Sequence, residues 1–465
     1  MSHARVTRAL VAAASATALL TLAACSTAAT PSASGPASGT TSAAVDDKCA
    51  AYKDYGDLKG KTISVFTSIA SDSEAKPHTD SYKPFEECTG ATIKYEGSRD
   101  FEAQLPVRLK AGNAPDIAYI PQPGLLATLV KDYPGKVFPA GDLATKNVET
   151  YYDPAWKTYG SVDGKFYAVP VGANVKSFVW YSPKAFADKG YQVPTTWDEL
   201  IALSDKIVAD NPDSDVKPWC AGIESGGATG WPATDWVEDV MLRVNGTDVY
   251  DQWVNHSIAF NDPKVVAAID KVGTILKNDK YVNGGYGNVK TIATTSFTEA
   301  GNPILDGQCF MHRQASFYQA NWPKGTKVGE DGDVWAFYFP SMSADSKPVL
   351  GGGEFAAAFS DRPEVQAFQA YLASPEWSNA KADATPNGGW LSANKKLDAN
   401  KLVQPVDKLS YQILTDPKAT FRFDGSDLMP GAVGAGSFWT GMTDWINGKS
   451  TQEVADAIEK SWPKK

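Results

Sequence analysis

The chain has 465 residues, 44 Lys and Arg against 54 Asp and Glu, a net charge of −10 and 11% aromatic residues. An acidic balance of this kind leaves no basic footprint for nucleic acid or anionic lipid. His3, His78, His256 and His312 are scattered and no cysteine pair has C-x-x-C spacing, so neither a metal nor another cofactor is expected.

The first two dozen residues read as a leader. Arg5 and Arg8 precede an apolar run, Ala9 to Leu20, too short for a permanent transmembrane helix. The run ends in Leu22-Ala23-Ala24-Cys25, which resembles the lipobox of bacterial lipoproteins. That resemblance implies that Cys25 is lipidated and becomes the new N-terminus, anchoring an extracytoplasmic protein to the cell membrane. Residues 26–44, STAATPSASGPASGTTSAA, are a low-complexity tether with too little apolar surface to order itself. Setting Cys25 aside leaves an even set, Cys49, Cys88, Cys220 and Cys309, in a compartment where disulfides persist. Four cysteines allow three connectivities, and sequence alone leaves them open; Cys49–Cys88 with Cys220–Cys309 is favoured because the first pair closes a local loop.

From residue 47 onward the chain is long enough for two domains or more. Thr62–Thr67 reads as a strand, Thr92–Tyr95 as a second, Asp100–Lys110 as a helix that Pro106 must kink or delay, Asp116–Ile120 as a third strand and Leu125–Lys131 as a helix. This alternation predicts a parallel sheet with helices on its faces. Ligands bind beyond the carboxyl ends of such strands, which puts Ser68, Glu96 and Gln122 near a ligand. Further on, Thr196-Trp-Asp-Glu199 is a capping box, Asp262-Pro-Lys264 opens another helix, and Ser450-Thr-Gln-Glu453 caps a last helix with Val454, Ile458 and Trp462 on one face.

The chain holds 14 Trp, several beside glycines rather than inside apolar runs. Gly226-Gly-Ala-Thr-Gly230 leads into Trp231-Pro-Ala-Thr-Asp235-Trp236, two indoles and a carboxylate at a helix start. Trp390 follows Gly388-Gly389, Trp439 follows Ser437-Phe438, and Trp335 and Tyr338 lie on a predicted strand. Sugars present apolar C–H faces that pack on aromatic rings and hydroxyls that need fixed polar groups. Asp235 beside two Trp, Glu354 after Gly351-Gly-Gly353, and Arg313-Gln314 before Ser316-Phe317 offer such groups. Most tryptophans in a folded protein are packing residues; Trp197, Trp377, Trp445 and Trp462, at helical positions, are assigned to packing. Asp235 has a second reading as a helix-dipole partner in its first turn.

Tyr95-Glu-Gly-Ser98, Phe101-Glu-Ala-Gln104, Gly112-Asn-Ala-Pro-Asp116-Ile, Pro121-Gln-Pro-Gly124, Gly222-Ile-Glu-Ser225, Trp231 to Trp236 and Cys309-Phe-Met-His-Arg-Gln-Ala-Ser-Phe317 together resemble the alpha-glucoside-binding proteins of carbohydrate ABC transporters. The likeness runs over most of the chain after residue 58. It implies an α/β, two-lobed periplasmic-binding-protein fold like that of maltose-binding protein, with hinge strands near Val171 to Ser177, within 309–340 and near Ala356 to Ser360. It also implies a Cys220–Cys309 bridge. The expected organisation is leader 1–24, tether 25–46, first lobe 47–172 with 310–358, and second lobe 173–309 with 359–465. The implied function is to bind an α-glucoside between the lobes and hand it to the membrane permease as a monomer, with no bond broken. The ligand-binding set is Ser68, Glu96, Asp116, Gln122, Trp231, Asp235, Trp236, Arg313, Tyr338, Glu354, Trp390 and Trp439. Arg99 departs from the resemblance, since a small or acidic residue is expected there. A secreted glycoside hydrolase would use the same aromatic cleft with a carboxylate pair, and carriers of other solutes share the two-lobed fold. No G-x-S-x-G elbow follows a predicted strand.

Overall fold

The computed structural model describes residues 48–464 apart from 213 and 344; the leader, Cys25 and the tether lie outside them. In chain order the strands that build the sheets are β1 (Thr62–Thr67), β2 (Thr92–Gly97), β3 (Ile117–Ile120), β4 (Ala168–Pro170), β5 (Asn174–Val175), β6 (Phe178–Tyr181), β7 (Lys217–Trp219), β8 (Cys309–Arg313), β9 (Trp335–Tyr338), β10 (Pro348–Gly352), β11 (Phe355–Ala358) and β12 (Thr420–Phe423). The helices that matter for the site are α1 (Asp72–Thr89), α2 (Phe101–Ala111), α3 (Pro123–Asp132), α4 (Trp231–Val254), α5 (Pro363–Leu372), α6 (Pro375–Asp383) and α7 (Gly425–Leu428).

The first sheet runs β2-β1-β3-β11-β4. β1 pairs parallel with β2 and with β3, in register Val65 to Ile117, and β11 runs antiparallel between β3 and β4. β3, Ile-Ala-Tyr-Ile, is buried at every position, as a central strand covered on both faces must be. Its side chains alternate between two cores: Ile117 and Tyr119 join Phe85, Phe368 and Trp377, while Ala118 and Ile120 join Phe101, Leu105 and Leu126. The second sheet runs β9-β6-β8-β7, with β8 antiparallel to β6 and parallel to β7. Its core includes Trp180, Trp219, Val237, Val240 and Met241, the last three from α4. A third, small sheet, β12-β10-β5, lies on the path between the other two.

The two main sheets, each with its own core, make the two lobes that the resemblance implies, but they divide the chain differently from the expected boundaries. β8 and β9, within 310–358, pair with β6 (Met311 opposite Tyr181, Ala336 opposite Trp180) and so belong to the second lobe. Residues 363–402, expected there, supply Val365, Phe368, Tyr371, Trp377 and Leu402 to the core of the first. The chain crosses between β4 and β5, within Val171 to Ser177, and again between β10 and β11, a few residues before 356–360; it does not cross within 309–340, where β8 and β9 both pair with β6. Strands of two to five residues carry too little periodicity to show which sheet they join.

Both favoured disulfides are present, Cys49–Cys88 and Cys220–Cys309. Both expected capping boxes form, at Thr196 and Ser450, and Val454 and Ile458 are buried along one face of the last helix. Trp197, Trp377 and Trp445 are buried packing residues, and Trp462 stacks on His256 at 3.9 Å. Pro106 sits inside α2 without ending it. No described helix is long and apolar enough to cross a membrane.

Candidate functional site

One large cavity, about 1330 Å³ with its mouth included, opens between the two main cores. The first lobe lines it with Ser68, which follows β1; Glu74 and His78 on α1; Glu102 on α2; Gln122 at the start of α3; Glu354 between β10 and β11; and Lys381 and Trp390. The second lobe contributes Trp231 at the start of α4, Phe297, Phe317, Asp427 on α7 and Trp439. Lys176, beside β5, and Asp424, beside β12, join them. Ser68 and Gln122 thus reach the cavity from the carboxyl ends of parallel strands, as alternation predicts.

Two aromatic walls stand out. Trp231 is half-buried and held edge-on by Phe297, with centroids 5.0 Å apart, while Phe317 lies tilted beside it at 6.0 Å. Gly230, at φ 114°, lets the chain turn into α4 there, and a side chain on it would strike the Trp439 carbonyl oxygen at 2.0 Å. The same glycine therefore brings Trp231 and Trp439 together. A π-helical segment, Val433–Phe438, delivers Trp439 to the wall, a placement such segments favour. On the other lobe the Trp390 indole donates to the Val171 carbonyl at 3.1 Å and rests against Trp377, with Lys381 Nζ 5.2 Å from its ring.

Polar atoms edge these walls. Gln122 Nε2 donates to Glu102 Oε1 at 3.1 Å, while Gln122 Oε1, Glu102 Oε2, Asn174 Oδ1 and Trp439 Nε1 are buried without a protein partner. Ser71 donates to Glu74 at 2.6 Å. Burial, reinforced by the neighbouring Glu74, pushes the Glu354 carboxyl up to about 7, and burial pulls Lys381 down to about 7 against the pull of Glu354 and Glu74.

A charged network forms part of the floor and continues behind it. Lys176 Nζ bonds Asp235 at 3.0 Å and Asp424, and stands 3.9 Å from Asp427 and 5.5 Å from the Trp231 ring. Burial works against its charge, but Asp235, Asp424 and Asp427 together hold its pKa well above the ordinary value. Burial pushes Asp235 up to about 7; Asp424, against the same burial, is held low by Lys176. Carboxylate oxygens of Asp235, Glu238 and Asp424 lie within 4.8 Å of one another, and the Lys176 ammonium already supplies this group with its cation.

Six expected ligand residues do not line the cavity. Trp236 is 3% exposed and packs edge-on against Trp219 at 5.3 Å and Phe339 at 5.5 Å. Five helical residues turn roughly 140° past a full rotation, so Trp231 and Trp236 face different sides of α4. Asp235 and Arg313 are buried behind Lys176, with Arg313 bonding Asp239 at 2.9 Å and lying 3.6 Å from Asp235. Glu96, exposed on edge strand β2, pairs with Arg108 at 2.8 Å. Asp116 sits at the amino end of β3, accepting from Ser64 N at 2.9 Å and pairing with Arg362 at 2.7 Å. The Tyr338 hydroxyl donates to the Pro348 carbonyl. Ser68, Gln122, Trp231, Glu354, Trp390 and Trp439 do come together. Glu74, His78, Glu102, Lys176, Lys381 and Asp427 were not anticipated. The Asp424-Gly-Ser-Asp427 turn, in which the Asp424 side chain accepts from Asp427 N, carries a helix-cap signature that could have exposed one of them.

A cleft walled by aromatics and edged by fixed polar groups, between two α/β lobes, defines a receptor for a small polar solute. The chain belongs to the family of bacterial extracellular solute-binding proteins, which matches residues 67–379. It is 40% identical over 423 residues, 88% of this chain and 89% of the relative, to the alpha-glucosides-binding periplasmic protein AglE of Rhizobium meliloti (strain 1021). It is equally 40% identical over 416 residues, 88% of this chain and 94% of the relative, to the osmoprotective compounds-binding protein GgtB of Synechocystis sp. (strain ATCC 27184 / PCC 6803 / Kazusa). Among solved structures, the bacterial solute receptor AcbH, described as preferring β-D-galactopyranose, superposes with a TM-score of 0.72 at 17% identity, covering 86% of this chain and 98% of its own. The protein is therefore an extracytoplasmic substrate-binding protein of an ABC transporter, and its relatives are binding proteins rather than enzymes.

Proposed function

We propose that this protein captures an α-glucoside, a di- or oligosaccharide of the maltose or trehalose type, in the cleft and delivers it to the permease from a lipid anchor at Cys25. The observation that carries the reading is the pairing of aromatic walls from both lobes, Trp231 and Trp390, with buried polar atoms that have no protein partner. A polar atom left buried without a hydrogen bond costs about 1–3 kcal/mol. Gln122 Oε1, Glu102 Oε2, Asn174 Oδ1 and Trp439 Nε1 are thus handles for hydroxyl groups, and the flat rings receive the sugar's C–H faces. Ser68, Gln122, Trp231, Glu354, Trp390 and Trp439 form the ligand set, joined by Glu74, Glu102, Lys176 and Asp427. The likeness to AglE supports the α-glucoside; the equal likeness to GgtB supports a second reading, an osmoprotective solute.

A thermal-shift panel of maltose, trehalose, sucrose and isomaltose, with glycine betaine and a dipeptide alongside, separates the two. Ligand at a hundred times its Kd adds about 2.7 kcal/mol of stability, so a true ligand moves the melt plainly. Stabilisation by one or more of the α-glucosides is expected. A shift with betaine alone would transfer the assignment to osmolytes, and no shift with any of the sugars would end the α-glucoside reading.

A further inference from the structure

The two lobes touch across the mouth of the cleft through residues that serve no evident packing purpose. Arg99 and Asp100 follow β2 on the first lobe. Facing them on the second are Glu224 to Gly227 and the segment Ser296 to Thr298, themselves joined by a backbone bridge between Glu224 and Ser296. Asp100 Oδ1 accepts from Gly227 N at 3.0 Å. The Arg99 guanidinium lies 3.7 Å from the Glu224 carboxylate, 3.5 Å from Ser296 Oγ and 3.4 Å from Thr298 Oγ1. Gly226 has φ 58°, and a Cβ on it would come within 3.0 Å of the Arg99 side chain; the loop is bare where the other lobe meets it. Arg99 is also the position where the sequence departs from its resemblance.

We infer that Arg99 and Asp100 form a clasp with Glu224, Gly227, Ser296 and Thr298 that favours the closed cleft independently of the ligand and so sets the affinity for every ligand by a common factor. A contact made only when the lobes are together raises the fraction of closed protein, and apparent affinity scales with that fraction. Its parts are individually weak: an exposed ion pair is worth up to about fivefold in an equilibrium, and a single hydrogen bond a similar amount. A weak clasp biases closure without locking it, which suits a receptor that must also let go.

Asp100 and Glu224 are outside the cavity lining, Asp100 makes no side-chain cap bond to its own helix, and Glu224 Oε1 accepts from Gly226 N at 2.7 Å. Asp100→Ala with Glu224→Gln, which removes the charge and keeps an acceptor for the loop, therefore leaves the binding surface and α2 intact. Spin labels at Lys110→Cys and Lys290→Cys, exposed on opposite lobes, read the distance across the cleft without any ligand. The distance distribution of the ligand-free double variant is expected to shift toward the open form, and 1 M salt to shift the native protein the same way. Affinities for any two sugars that bind should fall by one shared factor of about three- to thirtyfold. An unchanged ligand-free distribution would overturn the inference, as would affinity losses that differ between the sugars. A second arm guards against a misfolded variant. Arg99→Glu and Glu224→Arg should each open the ligand-free protein, and combining them should restore closure; no restoration in a folded double swap refutes the clasp. The distance readout needs no sugar, so it stands apart from the identity of the ligand.

Discussion

Trp231 and Trp236 share one sequence motif, and the structure gives them opposite fates. Trp236→Ala removes a side chain 3% exposed, seated against Trp219, Phe339 and the Arg313 guanidinium. Truncating a buried Trp costs about 3–5 kcal/mol. With an unfolding entropy near 2.1 cal/mol/K per residue, that lowers the Tm of a chain of this length by roughly 3–6 °C. Trp231→Ala removes a half-buried ring that packs on Phe297 and Phe317 with Lys176 Nζ 5.5 Å away, and its ligand-free melt should move by no more than about 1–2 °C. Binding should show the reverse. Losing a central aromatic contact costs about 2 kcal/mol or more, roughly thirtyfold in Kd, for Trp231→Ala, while Trp236→Ala binds nearly as the native protein does at a temperature where it is folded. Calorimetric titration with the sugar that stabilises most, paired with ligand-free thermal melts, reads both axes. If Trp231→Ala melts as early as Trp236→Ala, its ring belongs to the core and the aromatic-wall argument is wrong.

Acidity offers a second handle. Burial holds Glu354 at about 7, against 4.5 for a free carboxyl, so the folded chain keeps a proton that the unfolded chain has released. Its contribution to stability therefore falls as pH rises from about 4.5 to 7. The stability of Glu354→Gln relative to the native protein should climb over that window and level off above it; a difference flat in pH would show that Glu354 is already ionised. Lys176→Met would strand Asp424 and Asp427 without their cation and leave Asp235 with Arg313 alone, a loss of about 3–5 kcal/mol at pH 7.5. The variant should regain stability toward pH 5, and Asp424→Asn added to it should recover part of the loss at neutral pH; denaturant unfolding at both pH values checks this. Cys25→Ala should release the protein from the membrane into the medium or periplasm, read by fractionation; retention in the membrane fraction would refute the lipid anchor.

The parallel strands were readable because β1 and β3 are short apolar runs between turn residues, and because ligands sit beyond strand ends; Ser68 and Gln122 came from that rule alone. The rule failed at Glu96, since β2 is the sheet's edge and its side chains alternate outward to solvent. The α1 helix went unread because Pro77 and Pro84 lie inside it; proline breaks the usual helical signal, and Glu74 and His78 were lost with the helix. Glycines beside Trp231 and Trp390 marked cavity residues correctly. Proximity in sequence then carried Trp236 and Asp235 along with Trp231, although helical phase separates them. Lys176 and Lys381 gave no signal, because a buried lysine is recognisable only once its partners are in place.

The unpartnered polar atoms and the clasp, taken together, bear on how such a receptor tells a loaded cleft from a vacant one. In an open cleft, water meets Gln122, Glu102, Asn174 and Trp439. A closed cleft still has room for water, about 1330 Å³ with its mouth included, but each of these atoms that loses its water costs about 1–3 kcal/mol. One such penalty is comparable with a clasp of hydrogen bonds and an exposed ion pair, worth about 1–2 kcal/mol, so the vacant cleft divides between open and closed forms. Closure is completed when something else supplies the missing hydrogen bonds. On the reading proposed above, a sugar supplies them with its hydroxyls and cancels the penalty, and the clasp tips the remaining balance. Selectivity for closure thus comes from the polar atoms and the clasp only sets its level, which is why disrupting the clasp should scale all affinities alike while Gln122→Leu should alter which ligands bind.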